Sequence, residues 1–160
     1  MTAPIISASP VRAQADGSFS FYADAPANET FALVTPEGER RWDPDFHPRY
    51  FTKEMAAAGT VFDTTEDGKY HVWLLDSIDS QRHRIRYVAI MPGHVLTTIE
   101  VAVTPVSDRR SSVTVGYHRV SLSAGDDASV RSFTGHLQHL RIEWAQAFAK
   151  VLGATSRAGL

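Results

Sequence analysis

Asp127 to Gly153 read DASVRSFTGHLQHLRIEWAQAFAKVLG. Val130, Phe133, Leu137, Leu140, Trp144, Phe148 and Val151 recur in this stretch at steps of three and four. At about 100° per residue they fall on one face roughly 80° wide, the mark of an amphipathic helix. Asp127 or Ser129 can supply the oxygen that caps a free backbone N–H at its start. Gly153, just past Leu152, suits a left-handed C-cap, and Lys150 meets the negative end of the helix dipole. A helix of ~25 residues spans roughly 37 Å. Burial of its seven large side chains contributes at most on the order of 10–20 kcal/mol. Alone in water such a helix is marginal, so the rest of the chain has to supply a surface for it.

That surface is written in period two. Phe19 and Phe21 alternate with Ser20 and Tyr22 as the end of a first strand. Two short helices follow: Asn28 caps one through Glu29, Phe31, Ala32 and Leu33, with Pro36 and Gly38 as its stop, and Glu39 to Asp43 forms another, ended by Pro44. Six strands are then expected, at 50–54, 60–64, 70–78, 83–91, 95–104 and 112–122. The turns between them include Asp67-Gly68 and Pro92-Gly93. Ile85, Tyr87 and Ala89 share one face; so do Ile99, Val101 and Val103, and Val113, Val115 and Tyr117. Strands joined as hairpins make an antiparallel sheet. The expected fold is α+β, a seven-stranded curved antiparallel sheet with two short helices and one long C-terminal helix packed across it.

Composition narrows the function classes. The chain has 160 residues, so a single domain over 1–160 is expected, with 1–17 and 154–160 as ragged ends. A net charge of −2 gives no pull toward nucleic acid. There is no cysteine, which excludes disulfides, thiol catalysis and zinc-thiolate sites and fits a reducing compartment. The N-terminus lacks the charged start and apolar core of a signal peptide, and no apolar run nears the ~20 residues that span a bilayer. A cytoplasmic protein, monomer or homodimer, without membrane insertion, is expected.

Several stretches carry a resemblance. Ala25-Pro26-Ala27-Asn28-Glu29-Thr30-Phe31 is similar to a proline turn feeding a short helix that ends in an aromatic. Gly38-Glu39-Arg40-Arg41-Trp42-Asp43-Pro44, Gly59-Thr60-Val61-Phe62-Asp63-Thr64, the Trp73 strand, Tyr117 and Trp144 are of the same kind. With the element order, these resemble the helix-grip fold of the SRPBCC superfamily, also called START-like or Bet v 1-like, of the polyketide cyclase/dehydrase and lipid-transport type found in bacterial members. The resemblance covers about Phe19 to Leu152. It implies an apolar cavity between sheet and helix that holds a small hydrophobic molecule: a lipid, polyketide or aromatic compound. The residues it points to are Trp42, Trp73, Tyr87, Ile99, Val115, Tyr117, Phe133, Leu137, Leu140 and Trp144. No cofactor is implied. The glycine-rich loop of the plant members is absent; only Asp67-Gly68 stands there. No polar set of the cyclase kind can be matched.

Polar candidates remain open. Glu39, Arg40, Arg41 and Trp42 either line a cavity mouth and meet an anionic head group, or are a solvated turn with Trp42 packed under the sheet edge. Arg86, Glu100 and His118 alternate with apolar neighbours and are read on the outer face. Turned inward, they would orient a ligand or serve as acid and base. His136, His139 and Glu143 have metal-ligand spacing, but His139 and Glu143 turn toward solvent and His136 lies near the seam of the apolar stripe, and no metal site is read from them. No nucleophile elbow, phosphate-cradling loop or dinucleotide fingerprint is present. Three functions stand: ligand binding or transport, a cyclase or dehydrase acting through polar cavity residues, and a protein-interaction or stress-response module, to which Ile142 on the far side of the helix points.

Overall fold

The structure, a computed structural model, describes residues 11–158, with side chains to Gly153. Seven strands form one antiparallel sheet. They are β1 (Gln14–Ala23), β2 (Arg49–Tyr50), β3 (Val61–Glu66), β4 (Lys69–Asp79), β5 (Arg84–Met91), β6 (Val95–Ser107) and β7 (Arg110–Ser121). Their order is β1-β7-β6-β5-β4-β3-β2, so the chain's first strand closes beside its last. The short helices α1 (Ala27–Ala32) and α2 (Pro36–Glu39) fill the gap between β1 and β2. The sheet wraps the C-terminal helical segment, as the alternating strands require.

Cross-strand register sets the inner face. Phe19, Val115, Val101 and Ile85 make one inward row, and Gly17, Tyr117, Ile99, Tyr87 and Leu75 the next. Because alternate residues face opposite sides, Arg86, Glu100 and His118 fall on the outer face. There Arg86 lies between Asp76 (2.5 Å) and Glu100 (3.1 Å), and His118 meets Asp16 at 2.7 Å. The β3–β4 hairpin turns on Asp67 and Gly68, both at positive φ (49° and 73°), as a type I′ turn requires.

Five local expectations are corrected. The first strand already begins at Gln14, inside the segment expected to be ragged, because Ala13 and Ala15 are buried under Val130 and Phe133. Pro36 starts α2 rather than stopping α1: at the first helical position its missing N–H costs nothing. The cap is Thr35, whose Oγ1 accepts from Gly38 N–H (3.1 Å); α1 has no side-chain cap, so Asn28 is not one. The second short helix therefore ends at Glu39, where the sequence pattern placed its start. Of the expected 50–54 strand only Tyr50 pairs, together with Arg49 before it, and Phe51 is exposed.

The long helix is not continuous. A 3-10 turn (Ala124–Asp126) leads into α3 (Asp127–Ser132), a second 3-10 stretch (Phe133–His136) follows, and α4 runs from Leu137 to Ala158. Gly135 sits in the break, where a glycine weakens the helix. Asp127 does not cap the helix. Its carboxylate accepts from Ala13 N–H (3.1 Å) and Ser121 Oγ, pinning the first turn to the ends of β1 and β7. Ser129 Oγ donates to the Asp126 carbonyl instead. Gly153 is no C-cap, because helical backbone continues through it to Ala158.

Gly17 decides where the helix rests. A side chain there would fall 2.3 Å from Leu137 Cδ1, so α4 lies directly on β1 at a position without a Cβ. Phe148 and Phe21 (centroids 5.3 Å) continue that contact. Packing is thus tight on the β1 side, and a gap remains over β5 and β6.

Candidate functional site

The gap lies above Tyr87, Ile99 and Val101. Val34, Glu39, Trp73 and Trp144 complete its walls around a hollow of about 20 Å³. That volume holds about one water molecule. Four of the residues singled out in the sequence, Trp73, Tyr87, Ile99 and Trp144, meet here. Val115 is fully buried beneath them, and Tyr117, Leu137 and Leu140 are partly buried against the same core. Phe133 lies apart, packed with Ala13, Ala15, Val95 and Val130 and edge-on to Tyr117 (5.4 Å). Trp42 is outside the hollow; its ring centroid is 4.9 Å from that of Trp144.

Beyond Trp144 a surface groove of about 350 Å³ opens between the 42–44 segment and α4. Trp42, Asp43, Pro44, Leu140, Glu143, Trp144 and Ala147 line it. Trp144 belongs to both spaces. Other depressions exist on the outer face of the sheet, as over Ser77, Arg84, Arg86 and Glu100. There Arg86 and Glu100 are paired with each other, and the surface is open to solvent.

The α1–α2 corner carries Glu39 to the hollow. Trp42 Nε1–H donates to the Leu33 carbonyl (2.8 Å), and Tyr87 O–H donates to the Val34 carbonyl (2.8 Å). Both groups would otherwise be unpaired where α1 ends. Gly38 lets the corner close: a Cβ there would lie 1.9 Å from the Ala32 carbonyl oxygen. Glu39 is partly buried and lines the hollow. Among the described residues its carboxyl has no hydrogen-bond or ion-pair partner. Burial, reinforced by the nearby Asp43 and Glu66 charges, raises its pKa from 4.5 to about 8. Tyr87 and Tyr117, also within its electrostatic reach, are pushed up chiefly by burial.

The arginines of this corner do not form an anion clamp. Arg40 reaches Glu37 (3.4 Å), which also accepts from Tyr50 O–H (2.6 Å), and Arg41 is exposed. The inner face does hold one guanidinium, that of Arg119, lying 4.7 Å over the Phe133 ring. Its Nε is buried without a hydrogen-bond partner among the described residues, and burial lowers its pKa. On α4, His139 and Glu143 make an exposed ion pair at 3.1 Å. No group of three potential ligands converges on a metal site among the described residues. No described helix is long and apolar enough to cross a membrane.

No family model and no curated protein matches the chain by sequence. Solved structures do match by shape. One is norcoclaurine synthase from Thalictrum flavum in complex with dopamine and hydroxybenzaldehyde: TM-score 0.67 at 14% identity, over 95% of this chain and 94% of that one. Another is Ara h 8.0201, at 0.66 and 13%, over 88% and 99%. The di-domain ARO/CYC BexL from the BE-7585A biosynthetic pathway gives 0.65 and 19%, over 87% of this chain and 46% of BexL. The fold is Bet v 1-like. Within this Bet v 1-like fold the sequence pattern offered Glu39 only beside Arg40, Arg41 and Trp42, as part of a mouth for an anionic head group, and Glu143 only at metal-ligand spacing with His136 and His139; Asp43 was not singled out as a polar candidate. A signal for Glu39 was present: it stands three residues before Trp42, hence on the same side of a helical turn, so an inward Trp42 carries it inward.

Proposed function

We propose that this protein binds a small hydrophobic molecule between the sheet and α4, entering by the groove beside Trp42 and Trp144. The observation that carries this reading is the contact left incomplete over Tyr87, Ile99 and Val101, walled by Trp73 and Trp144. Pockets for small molecules are mostly apolar with a few convergent polar groups, and Glu39 is such a group here. The neighbours of like fold include norcoclaurine synthase solved with dopamine and hydroxybenzaldehyde and the di-domain ARO/CYC BexL, which supports the same reading. Since the hollow holds about one water, a larger ligand requires the Trp42–Trp144 pair to part. Trp42, Trp73, Tyr87, Ile99, Val115, Tyr117, Phe133, Leu137, Leu140 and Trp144 are the residues proposed to hold it directly or to shape the wall.

The test is a thermal-shift panel of fatty acids, sterols and flavonoids. A ligand that binds only the folded state raises the melting temperature in proportion to its occupancy. At least one saturable upward shift is expected, and it disappears when Trp144 is replaced by Ala. A panel that moves nothing contradicts the reading.

A second reading, an enzyme of cyclisation or dehydration, is favoured by one observation: a carboxyl titrating near neutral pH inside the hollow can both give and take a proton. Turnover of a bound polyketide-like or aromatic substrate, lost in Glu39→Gln with binding retained, would support it.

A further inference from the structure

Resting on that binding reading, we propose that the site takes an organic cation. The ligand is a protonated amine on an aromatic or short apolar body, held between the Trp42 and Trp144 rings and the carboxyls of Asp43, Glu143 and Glu39.

The groove presents two indole rings and two carboxylates, and no Lys, Arg or His lines it. The hollow behind it adds Glu39, two further aromatic rings and again no basic group. The tryptophan face is the strongest aromatic partner for a cation, and a carboxylate shielded from water adds a charge-assisted bond. An anionic ligand would meet the like charges of Asp43 and Glu143 in the groove. A purely apolar one would leave the Glu39 carboxyl unpaired. Of the neighbouring cations, Arg40 pairs with Glu37, Arg119 lies over the Phe133 ring and Arg41 is exposed, while His139 pairs with Glu143 itself from the solvent side of α4 and leaves Asp43 and Glu39 as the carboxyls without an ion pair among the described residues.

Proton linkage supplies a distinctive signature. The groups around Glu39 are Asp43 after α2, Glu66 on β3, Tyr87 on β5 and Tyr117 on β7. Burial first, and then the two acids, hold a proton on Glu39, and both tyrosines stay protonated. A cation bound against Glu39 reverses the balance and expels its proton.

The experiment is calorimetric titration at about pH 7, the neutral range where Glu39 still holds its proton, in two buffers of different ionisation enthalpy. The probes are phenethylamine, phenethyl alcohol and hydrocinnamate, which share one apolar body and differ in charge. The amine is expected to bind about tenfold more tightly than either of the others and to release protons on binding. Glu39→Gln abolishes the release and weakens the amine while sparing the alcohol. Asp43→Asn, further out, weakens the amine while leaving binding of the alcohol unchanged. Equal or tighter binding of the alcohol or hydrocinnamate, no binding of the amine, or amine affinity unchanged in both variants overturns the inference. If alcohol or hydrocinnamate binds, the cavity reading survives that result. If none of the three binds and the wider apolar panel is also silent, both fall.

Discussion

The indole rings of Trp42 and Trp144 stand with their centroids 4.9 Å apart at 51°. Trp42 is fixed from behind by its bond to the Leu33 carbonyl, and Trp144 rests edge-on against Phe19 at 6.0 Å. The pair is where the α1–α2 corner meets α4, and it stands between the groove and the hollow. Exposed and interior chemistry are thus joined by two side chains from distant parts of the chain.

Trp42→Phe keeps the ring contact but removes the donor to Leu33. A carbonyl left without its partner is expected to cost about 1–2 kcal/mol. Urea denaturation measures it; a midpoint equal to the wild type's would show that the bond does not hold the corner.

Gly38→Ala has a larger effect. The new Cβ would press on the Ala32 backbone, which cannot rotate away, and a loss of at least ~3 kcal/mol is expected. Gly17→Ala meets only the end of the Leu137 side chain, so its cost is expected to be smaller, about 1–2 kcal/mol. The order of the two in thermal denaturation is the check.

Thr30 and Ser111 are both fully buried and share a 2.8 Å hydrogen bond between α1 and β7. Ser111→Ala leaves the Thr30 hydroxyl without that partner and is expected to cost about 1–3 kcal/mol. Adding Thr30→Val recovers part of the loss, since two apolar groups of similar shape replace the pair. A double variant less stable than the single one contradicts the assignment.

Glu39 makes stability depend on pH. Its folded pKa, about 8, lies above the ordinary 4.5. Between those values the folded state binds more protons than the unfolded one, so its contribution falls as pH rises through the window and levels off above about 8. Glu39→Gln removes the penalty. The variant is expected to match the wild type near pH 4.5 and to exceed it by on the order of a few kcal/mol at pH 8. Parallel stability curves from pH 4 to pH 9, a range that brackets the window by roughly one unit at the upper end, would remove Glu39 from the interior.

How far the sequence foretold this depends on the element. Strand alternation is strict where one face is buried, so the inner rows through Tyr87, Ile99 and Tyr117 were legible. The Asp67-Gly68 turn was legible because few residue pairs tolerate two positive φ values. The helix break was not: Phe133 and Leu137 keep helical spacing across the 3-10 stretch, so the apolar stripe runs through it unmarked. The α1–α2 corner was misread because Pro36 and Gly38 act both as stops and as first-turn or close-approach residues. Glu39 sat in a charged run that looks solvated, and only tertiary packing turns its carboxyl inward. Ile142, read as facing away from the stripe, is exposed.

All three tryptophans of the chain border the hollow or the groove. Their indole N–H resonances, assigned by single Trp→Phe variants, therefore report on this region alone. A bound ligand, titrated into isotope-labelled protein, is expected to shift the Trp73 and Trp144 signals together and to saturate at one equivalent. Ligands that raise the melting temperature yet leave both indole signals unmoved would place binding elsewhere and contradict a site between the sheet and α4.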